Sequence, residues 1–498
     1  MPHPNTLPAQ ARLLHPAHLP FTVGAVALVT LGAFENRAVT TILPSVARDL
    51  EGLSLFGAAS AAPLVSFVVA TTLAGLWSDS RGPVPVLRAG MGAFVAGELT
   101  MALAPSMQLF VLGRLLGGLA EGLLDIGLTV LVARALPAEL RPRVFAAFAA
   151  AWVLPSLLGP SMVGVVAEHL GWRVVFFLGV ALLGPVAACL RPALRAARSP
   201  GDLGSAGSRL VRAGTTESDA PTLTGSRRQA GWSVVAAAGL VALSVGGSMV
   251  AGAEAVALVG WALLLAGLAT VLRSARAVLP PGSLTAAPGI PALTALRALL
   301  GAAFGTAGGL LPLMLTDVHG YGPAAAGVSL TVTGLFWALG SQLQGLDHVQ
   351  ARTSVPSRLR IGFALVTVGL VGPTLLAVSL LPAWAGLGMW ALAGVGIGIC
   401  SPTISTHVLT LSREQDQGRN SAASVLAPAM AQAVSFAASG ALIAWEAPDL
   451  GGGLFAGIIA ACAGLSALAL VLAGRAAQPR PAGQRQGGQV AGQRGGQR

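Results

Sequence analysis

The sequence has few charged residues for its length. Of its 498 residues, 10% are charged and 54% are hydrophobic, whereas an ordinary soluble domain carries roughly 25% charged residues. A soluble fold of this size would need far more polar surface, so a water-soluble enzyme or binding domain is excluded. Lysine is absent, since all 30 basic residues are arginine, and the net charge is +11.

Cysteine is also scarce, with only Cys189, Cys400 and Cys462 in the chain. Each lies within or at the edge of an apolar run, so neither a CxxC metal site nor a disulfide framework is formed. We interpret them as small buried hydrophobic residues. The sequence contains no P-loop lysine, no HExxH and no catalytic Ser-His pattern. We therefore expect no metal, no cofactor and no enzymatic activity.

Long apolar runs dominate what is present. A helix needs about 20 mostly apolar residues to cross the hydrocarbon core, and fourteen runs meet this need. The predicted spans are 20–46, 55–77, 86–104, 107–133, 144–167, 173–190, 232–250, 254–272, 293–316, 323–345, 360–380, 384–411, 420–445 and 452–474. The sequence thus predicts an all-α polytopic membrane protein with 14 transmembrane helices.

The distribution of arginine predicts the orientation of these spans. If the N-terminus is cytoplasmic, only Arg48 and Arg173 fall in external loops, while Arg37, Arg114 and Arg297 fall within spans. The other arginines all lie in cytoplasmic segments, which is a strong positive-inside bias. We predict a multi-pass protein of the cell (inner) membrane with both termini cytoplasmic. The positive charge then reflects topology and contact with anionic membrane lipids, and no nucleic-acid partner is expected.

The spans divide as six, two and six. We predict an N-terminal six-helix bundle in residues 1–191, a cytoplasmic linker in 192–231 and an inserted transmembrane hairpin in 232–272, outside the two-bundle core. A C-terminal six-helix bundle follows in 293–474, and a Gly/Gln/Arg-rich tail in 475–498 is expected to be disordered. Paired six-helix halves related by a pseudo-twofold axis are a known transporter plan.

The loop between spans two and three carries the first motif, "GLWSDSRGPVPVLRAG". Gly75, Asp79, Arg81 and Gly82 resemble the G-x-x-x-D-x-x-G-R-[RK] signature of the major facilitator superfamily. Small residues let two helix ends approach closely, and an acid and an arginine in a tight turn can pair or contact helix ends. The resemblance implies a gating loop, although Pro83 follows Gly82 where the family usually has a basic residue.

Span four carries the second motif, in which Arg114 lies well inside the membrane run. A charge at that depth costs about 2.5–3.5 kcal/mol on the insertion scale and is usually functional. Glu121 and Asp125 follow at helical spacing, so all three share one face. Arg114 resembles the arginine of the family's R-x-x-x-G-x-G motif. The two acids either take part in function or only neutralise the arginine.

Span five carries the third motif, "AAWVLPSLLGPSMVGVV". Pro155, Gly159, Pro160 and Gly164 lie about one turn apart, so the prolines bend the helix and the glycines permit close packing. They resemble the family's antiporter motif g-x-x-x-G-P-x-x-G-G, which is associated with proton antiporters. An ordinary kinked membrane helix is the alternative.

Span one, with "FENRAVTTILPSVARDL", is similar to the "LDxTIVxxALPxIxxDL" pattern of the fourteen-span drug:proton antiporter branch. Glu35 takes the acid position and Pro44 the proline, whereas Arg37 stands where a small polar residue is usual. Glu35 and Arg37 point about 200° apart on a helix, so each needs a partner on another helix. We expect Arg114 to neutralise one carboxylate, while Glu35 or Asp125 exchanges a proton.

The resemblance implies a proton-coupled antiporter that exports hydrophobic or amphipathic small molecules. Desolvation disfavours the charged form of a cavity carboxylate and a nearby arginine favours it, so protonation and substrate binding can compete. Glu35, Glu121 and Asp125 are the candidate acids, with Arg37 and Arg114 as their partners. Transport of a specific metabolite or lipid is one alternative, and an integral membrane enzyme or a non-transporting scaffold is another.

Overall fold

The computed structural model describes residues 19–136, 140–196, 223–413 and 416–477, and in these ranges the regular structure is helical. The first seven helices form the N-terminal half. They are α1 (Leu19–Asp49), α2 (Phe56–Arg81), α3 (Pro83–Ala102), α4 (Met107–Ala135), α5 (Arg141–Ala151), α6 (Val153–Leu170) and α7 (Trp172–Ala196). The pairs α3–α4, α2–α4, α1–α7, α1–α6 and α3–α7 pack against each other, so these helices form one bundle.

The predicted fifth span is interrupted, because α5 ends at Ala151 and α6 begins at Val153. Pro155 lies in the first turn of α6, where its missing N–H costs nothing, whereas a continuous helix would place its ring against the carbonyl of Ala151. The sequence predicts a bend here, and the structure contains a break at Trp152.

Two helices follow the undescribed segment 197–222, which holds most of the predicted linker. They are α8 (Leu223–Met249) and α9 (Glu254–Val278), and they pack along each other. Gly246 and Gly260 face each other's helix backbone, as do Gly239 and Gly267, so the two helices approach closely. The outer face of α9 is apolar and exposed, as expected for a helix that faces lipid.

The remaining helices form the C-terminal half. They are α10 (Ile290–Leu300), a π-helical turn (Gly301–Gly305), α11 (Thr306–Asp317), α12 (Pro323–Gly345), α13 (Asp347–Arg352), α14 (Val355–Ala377), α15 (Ala383–Leu411), α16 (Gln417–Glu446) and α17 (Gly452–Leu472). The two halves meet where α6 packs on α12 and α2 packs on α16, and α8 lies against both α2 and α16.

By length and composition, twelve described helical segments could cross a membrane. The helices at the third and fifth predicted spans, α3 and the α5–α6 pair, are not among the twelve. The all-helical fold with many spans is thus established, whereas the count of fourteen stays a prediction.

Candidate functional site

A cavity of about 260 Å³ lies between the two halves, and we refer to it as the central cavity. Its polar lining residues are Asn36, Arg37, Thr40, Ser60, Arg114, Thr333 and Gln432. Its aromatic lining residues are Trp152, Phe304, Trp337, Trp390 and Phe436. Phe304 stacks on Trp390 with ring centroids 5.0 Å apart and meets Trp337 edge-on at 6.1 Å. The wall from the C-terminal half is therefore aromatic.

A second cavity of about 240 Å³ lies within the N-terminal half, between α1 and α4. Glu35, Glu121 and Asp125 line it together with Phe67, Phe94 and Phe148, and we refer to it as the acidic cavity. The structure thus brings together the three acids that the sequence singled out. Trp152, at the break between α5 and α6, lines both cavities.

Glu35 and Arg114 form a buried ion pair between the two cavities. Arg114 Nη1 donates to Glu35 Oε1 over 3.1 Å, and the exposed fractions of the two side chains are 7% for Arg114 and 14% for Glu35. Arg114 Nε also donates to the carbonyl of Ala59 on α2 over 3.3 Å. Gly117 faces Glu35 without a side chain, which leaves room for the carboxylate. Arg114 lines the central cavity and Glu35 lines the acidic one, so this pair joins them.

The carboxylates of the acidic cavity differ in exposure. Glu35 of α1 is largely buried beside its arginine, with 14% of its side chain exposed. On α4, Glu121 is half-buried and Asp125 is exposed. Glu98 on α3 is buried behind Glu35, and both line a small void next to Gly179. A side chain at position 179 would collide with the Glu98 carboxylate, so Gly179 makes the space for it.

Arg37 faces the central cavity without a described carboxylate partner. Its guanidinium carbon lies 6.0 Å from the centroid of the Trp337 ring, and its Nε has no hydrogen-bond partner among the described residues. The sequence predicts a partner for Arg37 on another helix, and the structure provides an aromatic ring of α12 rather than an acid.

The proline and glycine motif of α6 lies at the contact between the halves. Gly159 packs on Phe34 and Arg37 of α1, whereas Gly164 lies directly against the backbone of Ala324 on α12. A side chain at position 164 would collide with that backbone. The carbonyl of Pro160 is similarly close to Gly327 of α12, so this face of α6 can only pack through small residues.

The loop between α2 and α3 is a one-residue turn at Gly82. This glycine has φ +80°, a conformation that side chains disfavour, and Pro83 starts α3 immediately after it. Asp79 and Arg81 are exposed at the end of α2, and no described ion pair joins them. Gly75 has open space beside it. The motif thus forms a tight turn whose charged groups face outward.

The halves are joined at the end of the molecule where α1 and α6 finish, which we refer to as the closed end. Arg48 of α1 forms an ion pair with Asp317 of α11, and the amide of Ala324 donates to Glu168 Oε1 over 2.9 Å. Gly57 of α2 and Gly440 of α16 bring their backbones into direct contact. Sequence reasoning did not assign Asp317 to a contact between the halves, because its partner is far away along the chain.

The residues that sequence reasoning missed are the aromatic ones of the central cavity. Trp337, Trp390 and Phe304 lie in apolar runs, where aromatic residues are typical of lipid-facing or core positions. The one available signal is the glycine-rich stretch at 301–309, because Gly308 leaves space beside the Trp390 ring and Gly309 beside the Phe436 ring.

Two helical halves around a cavity that is closed at one end define a membrane-transporter fold. A solved auto-inhibited peptide transporter of the POT family has the same fold, with a TM-score of 0.63 and 17% identity over 93% of this chain and 98% of that one. The Major Facilitator Superfamily model matches residues 25–436. The chain belongs to the major facilitator superfamily.

Curated relatives match the chain over about a third of their length. A protein of Mycobacterium tuberculosis named "Probable multidrug-efflux transporter" is 34% identical over 153 residues, which are 31% of this chain and 32% of the relative. A triacylglyceride transporter of Mycolicibacterium smegmatis is 28% identical over 172 residues, 33% of this chain and 30% of the relative. The chain thus belongs to a family of multi-pass membrane transporters, and several of its curated relatives are named for multidrug efflux or resistance.

Proposed function

We propose that the protein is a proton-coupled antiporter that exports hydrophobic or amphipathic small molecules across the cell (inner) membrane. The observation that carries this proposal is the buried Glu35–Arg114 pair, which borders the acidic cavity on one side and the central cavity on the other. A change in the charge of Glu35 alters the field felt in both cavities, which is the requirement for coupling a proton to a substrate. The name of the Mycobacterium tuberculosis relative supports efflux.

In this proposal the substrate binds in the central cavity and the proton reaches Glu35 through the acidic cavity. Asp125 and Glu121 provide successive carboxylates from the exposed end of that cavity to the buried pair. Both halves contribute to the substrate site, so rocking of one half against the other would expose it alternately to each side.

The orientation follows from the arginine distribution and is part of the proposal. With cytoplasmic termini, the closed end faces the exterior. The layout is two six-helix bundles, residues 1–191 and 293–474, with the 232–272 hairpin inserted between them in sequence. Residues 192–231 and 475–498 are then the cytoplasmic linker and tail.

Dye accumulation in a host that lacks its own efflux pumps tests the proposal. Cells that express the protein should accumulate less of at least one dye from a panel of cationic ethidium, neutral Nile red and anionic carboxyfluorescein. A protonophore should abolish the difference, and a Glu35→Gln variant expressed to the same level should behave like empty cells. Equal accumulation with and without the protein across a wide panel would contradict multidrug efflux.

Export of a lipid is a second candidate, favoured by a groove on the lipid-facing surface. The groove holds about 590 Å³ between α1 and α7, where Val23, Leu182 and Pro185 line it, and it shares Leu31 with the acidic cavity. The name of the triacylglyceride transporter among the relatives also supports export of a lipid. Transfer of a fluorescent acylglycerol between leaflets of proteoliposomes, compared with protein-free liposomes, distinguishes this candidate from dye export.

A further inference from the structure

The charges that face the central cavity are of one sign. Its described lining contains Arg37 and Arg114 and no aspartate or glutamate, because the carboxylates of the N-terminal half line the acidic cavity instead. Arg114 is neutralised by Glu35 at 3.1 Å, which leaves Arg37 as the net charge of the site. A cationic substrate would meet this charge unfavourably.

Arg37 is placed to bind rather than to hold the fold together. Its backbone is fixed within α1, where its carbonyl accepts a hydrogen bond from Thr41, but no described carboxylate pairs with its guanidinium. Its Nε lacks a partner among the described residues. An unpaired guanidinium at membrane depth is costly, and an anionic group in the cavity would remove that cost through charge-assisted hydrogen bonds.

The rest of the cavity suits an apolar body attached to that anionic group. Phe304 and Trp390 present stacked rings, and Trp337 lies beside the guanidinium. Asn36, Thr40 and Gln432 add neutral donors that can bind oxygen atoms without cancelling the positive charge.

We propose that the substrate of this transporter is an amphipathic monoanion, a carboxylate, sulfonate or phosphate ester with an aromatic or aliphatic body, bound by Arg37 in the central cavity. The anionic head lies against the guanidinium, and the apolar body lies against the aromatic wall of the C-terminal half. The inference rests on the proposed function in one respect, since it takes the central cavity as the substrate site.

Binding of three dansyl compounds of different charge tests the proposal with the purified full chain in detergent. Dansylglycine is an anion, dansylamide is neutral and dansylethylenediamine is a cation at neutral pH. Trp337 and Trp390 line the cavity, so energy transfer from tryptophan to the dansyl group reports occupancy. We expect dansylglycine to bind about tenfold or more tightly than dansylethylenediamine, with dansylamide between them.

Arg37→Gln should weaken dansylglycine binding about tenfold or more and change dansylamide binding less than about twofold. Arg37→Lys keeps the charge and should retain most of the anion preference. Arg276→Gln, at an exposed position on α9, removes the same charge far from the cavity and should change nothing. The dansylamide signal shows whether the cavity of each variant is intact.

A cation that binds wild-type protein more tightly than the anion would overturn the proposal, whatever the variants do. Equal dansylglycine affinity in wild type and Arg37→Gln would overturn the role of Arg37. The assay needs no proton gradient and no transport. Anion-selective binding without gradient-driven flux would therefore contradict the proposed coupling and leave the anion site standing.

Discussion

At the scale of single residues, the proposed coupling depends on where two charges of opposite sign lie. The sequence predicts that Arg114 neutralises a cavity carboxylate, and Glu35 Oε1 accepts a hydrogen bond from Arg114 Nη1 in the structure. The sequence did not determine which of the three acids would be the partner of Arg114. Glu121 and Asp125 share the helix face of Arg114, but among the described ion pairs the arginine pairs with Glu35 of α1.

Glu35→Gln tests the proton site. The amide keeps the shape and can still accept a hydrogen bond from Arg114, but it cannot exchange a proton. We expect gradient-driven efflux to fall at least about tenfold, while substrate binding and downhill exchange persist. Glu254→Gln, at an exposed turn, is the matched control. If Glu35→Gln and Asp125→Asn both keep full gradient-driven transport, the assignment is wrong and Glu121 or Glu98 is the next candidate.

Arg114→Ala tests the ion pair through stability as well as transport. Removal of the guanidinium leaves Glu35 buried without its charge partner, which costs about 3–5 kcal/mol in comparable buried pairs. We expect a lower unfolding temperature of the purified protein and loss of both driven transport and exchange. The double variant Arg114→Ala/Glu35→Gln removes the stranded charge and should recover part of the stability. A double variant no more stable than Arg114→Ala would argue against an energetically coupled pair.

At the scale of secondary-structure elements, the sequence located the helices better than their ends. The predicted sixth span stops at 190, but α7 continues to Ala196, and the 192–231 linker is shortened further because α8 begins at Leu223. Apolar runs mark where a chain leaves the hydrocarbon core, whereas a helix can extend beyond it into the polar interface. Pro155 predicts the break at Trp152, because a proline inside a helix removes a backbone hydrogen bond and clashes with the carbonyl four residues earlier.

The contact between α6 and α12 gives a prediction for Gly164. A leucine there must displace the backbone of Ala324, and overpacking of this kind costs about 1–3 kcal/mol. We expect Gly164→Leu to open the closed end, so that a cysteine at position 324 reacts faster with an impermeant thiol reagent added outside. Gly184→Leu on α7 has open space beside it and should leave the rate unchanged. Equal rates in the two variants would contradict the close packing.

The ion pair at the closed end supports a charge-exchange test. Arg48→Asp puts two acids together and Asp317→Arg puts two arginines together, so each should favour separation of the halves and reduce transport. The exchange Arg48→Asp/Asp317→Arg restores a pair of opposite charges. Because the Coulomb attraction does not depend on which partner carries which charge, transport should recover to within about twofold of wild type. If the double variant is as inactive as either single one, the pair does not act as a contact between the halves.

At the scale of the whole molecule, the arginine distribution predicts a topology that labelling can check. In a chain whose three cysteines are replaced by serine, Leu210→Cys should be protected from an impermeant reagent in intact cells, because the predicted orientation places residues 192–231 in the cytoplasm. Asp449→Cys, in the exposed turn between α16 and α17, should label efficiently. Efficient labelling at position 210 would show that the predicted orientation is wrong and that the closed end faces the cytoplasm.

The family and the helical architecture could be predicted from the sequence, because apolar length, positive-inside bias and short motifs are local signals. Much of the site could not, because it is built across the halves. Arg48 and Asp317 are 269 residues apart, and the aromatic residues that the C-terminal half contributes to the central cavity come from four separate helical segments. No local pattern specifies which distant helices will face each other, so these contacts appear only when the chain is folded.

The most direct test of the central claim is flux in proteoliposomes under an imposed pH gradient. With purified protein and a substrate from the dye panel, we expect the substrate to accumulate against its own gradient. Protons should move in the opposite direction at the same time, as recorded by a pH-sensitive dye sealed in the lumen. Both signals should disappear with a protonophore and in Glu35→Gln. Substrate movement at the same rate with and without the pH gradient, and without proton movement, would contradict proton-coupled export.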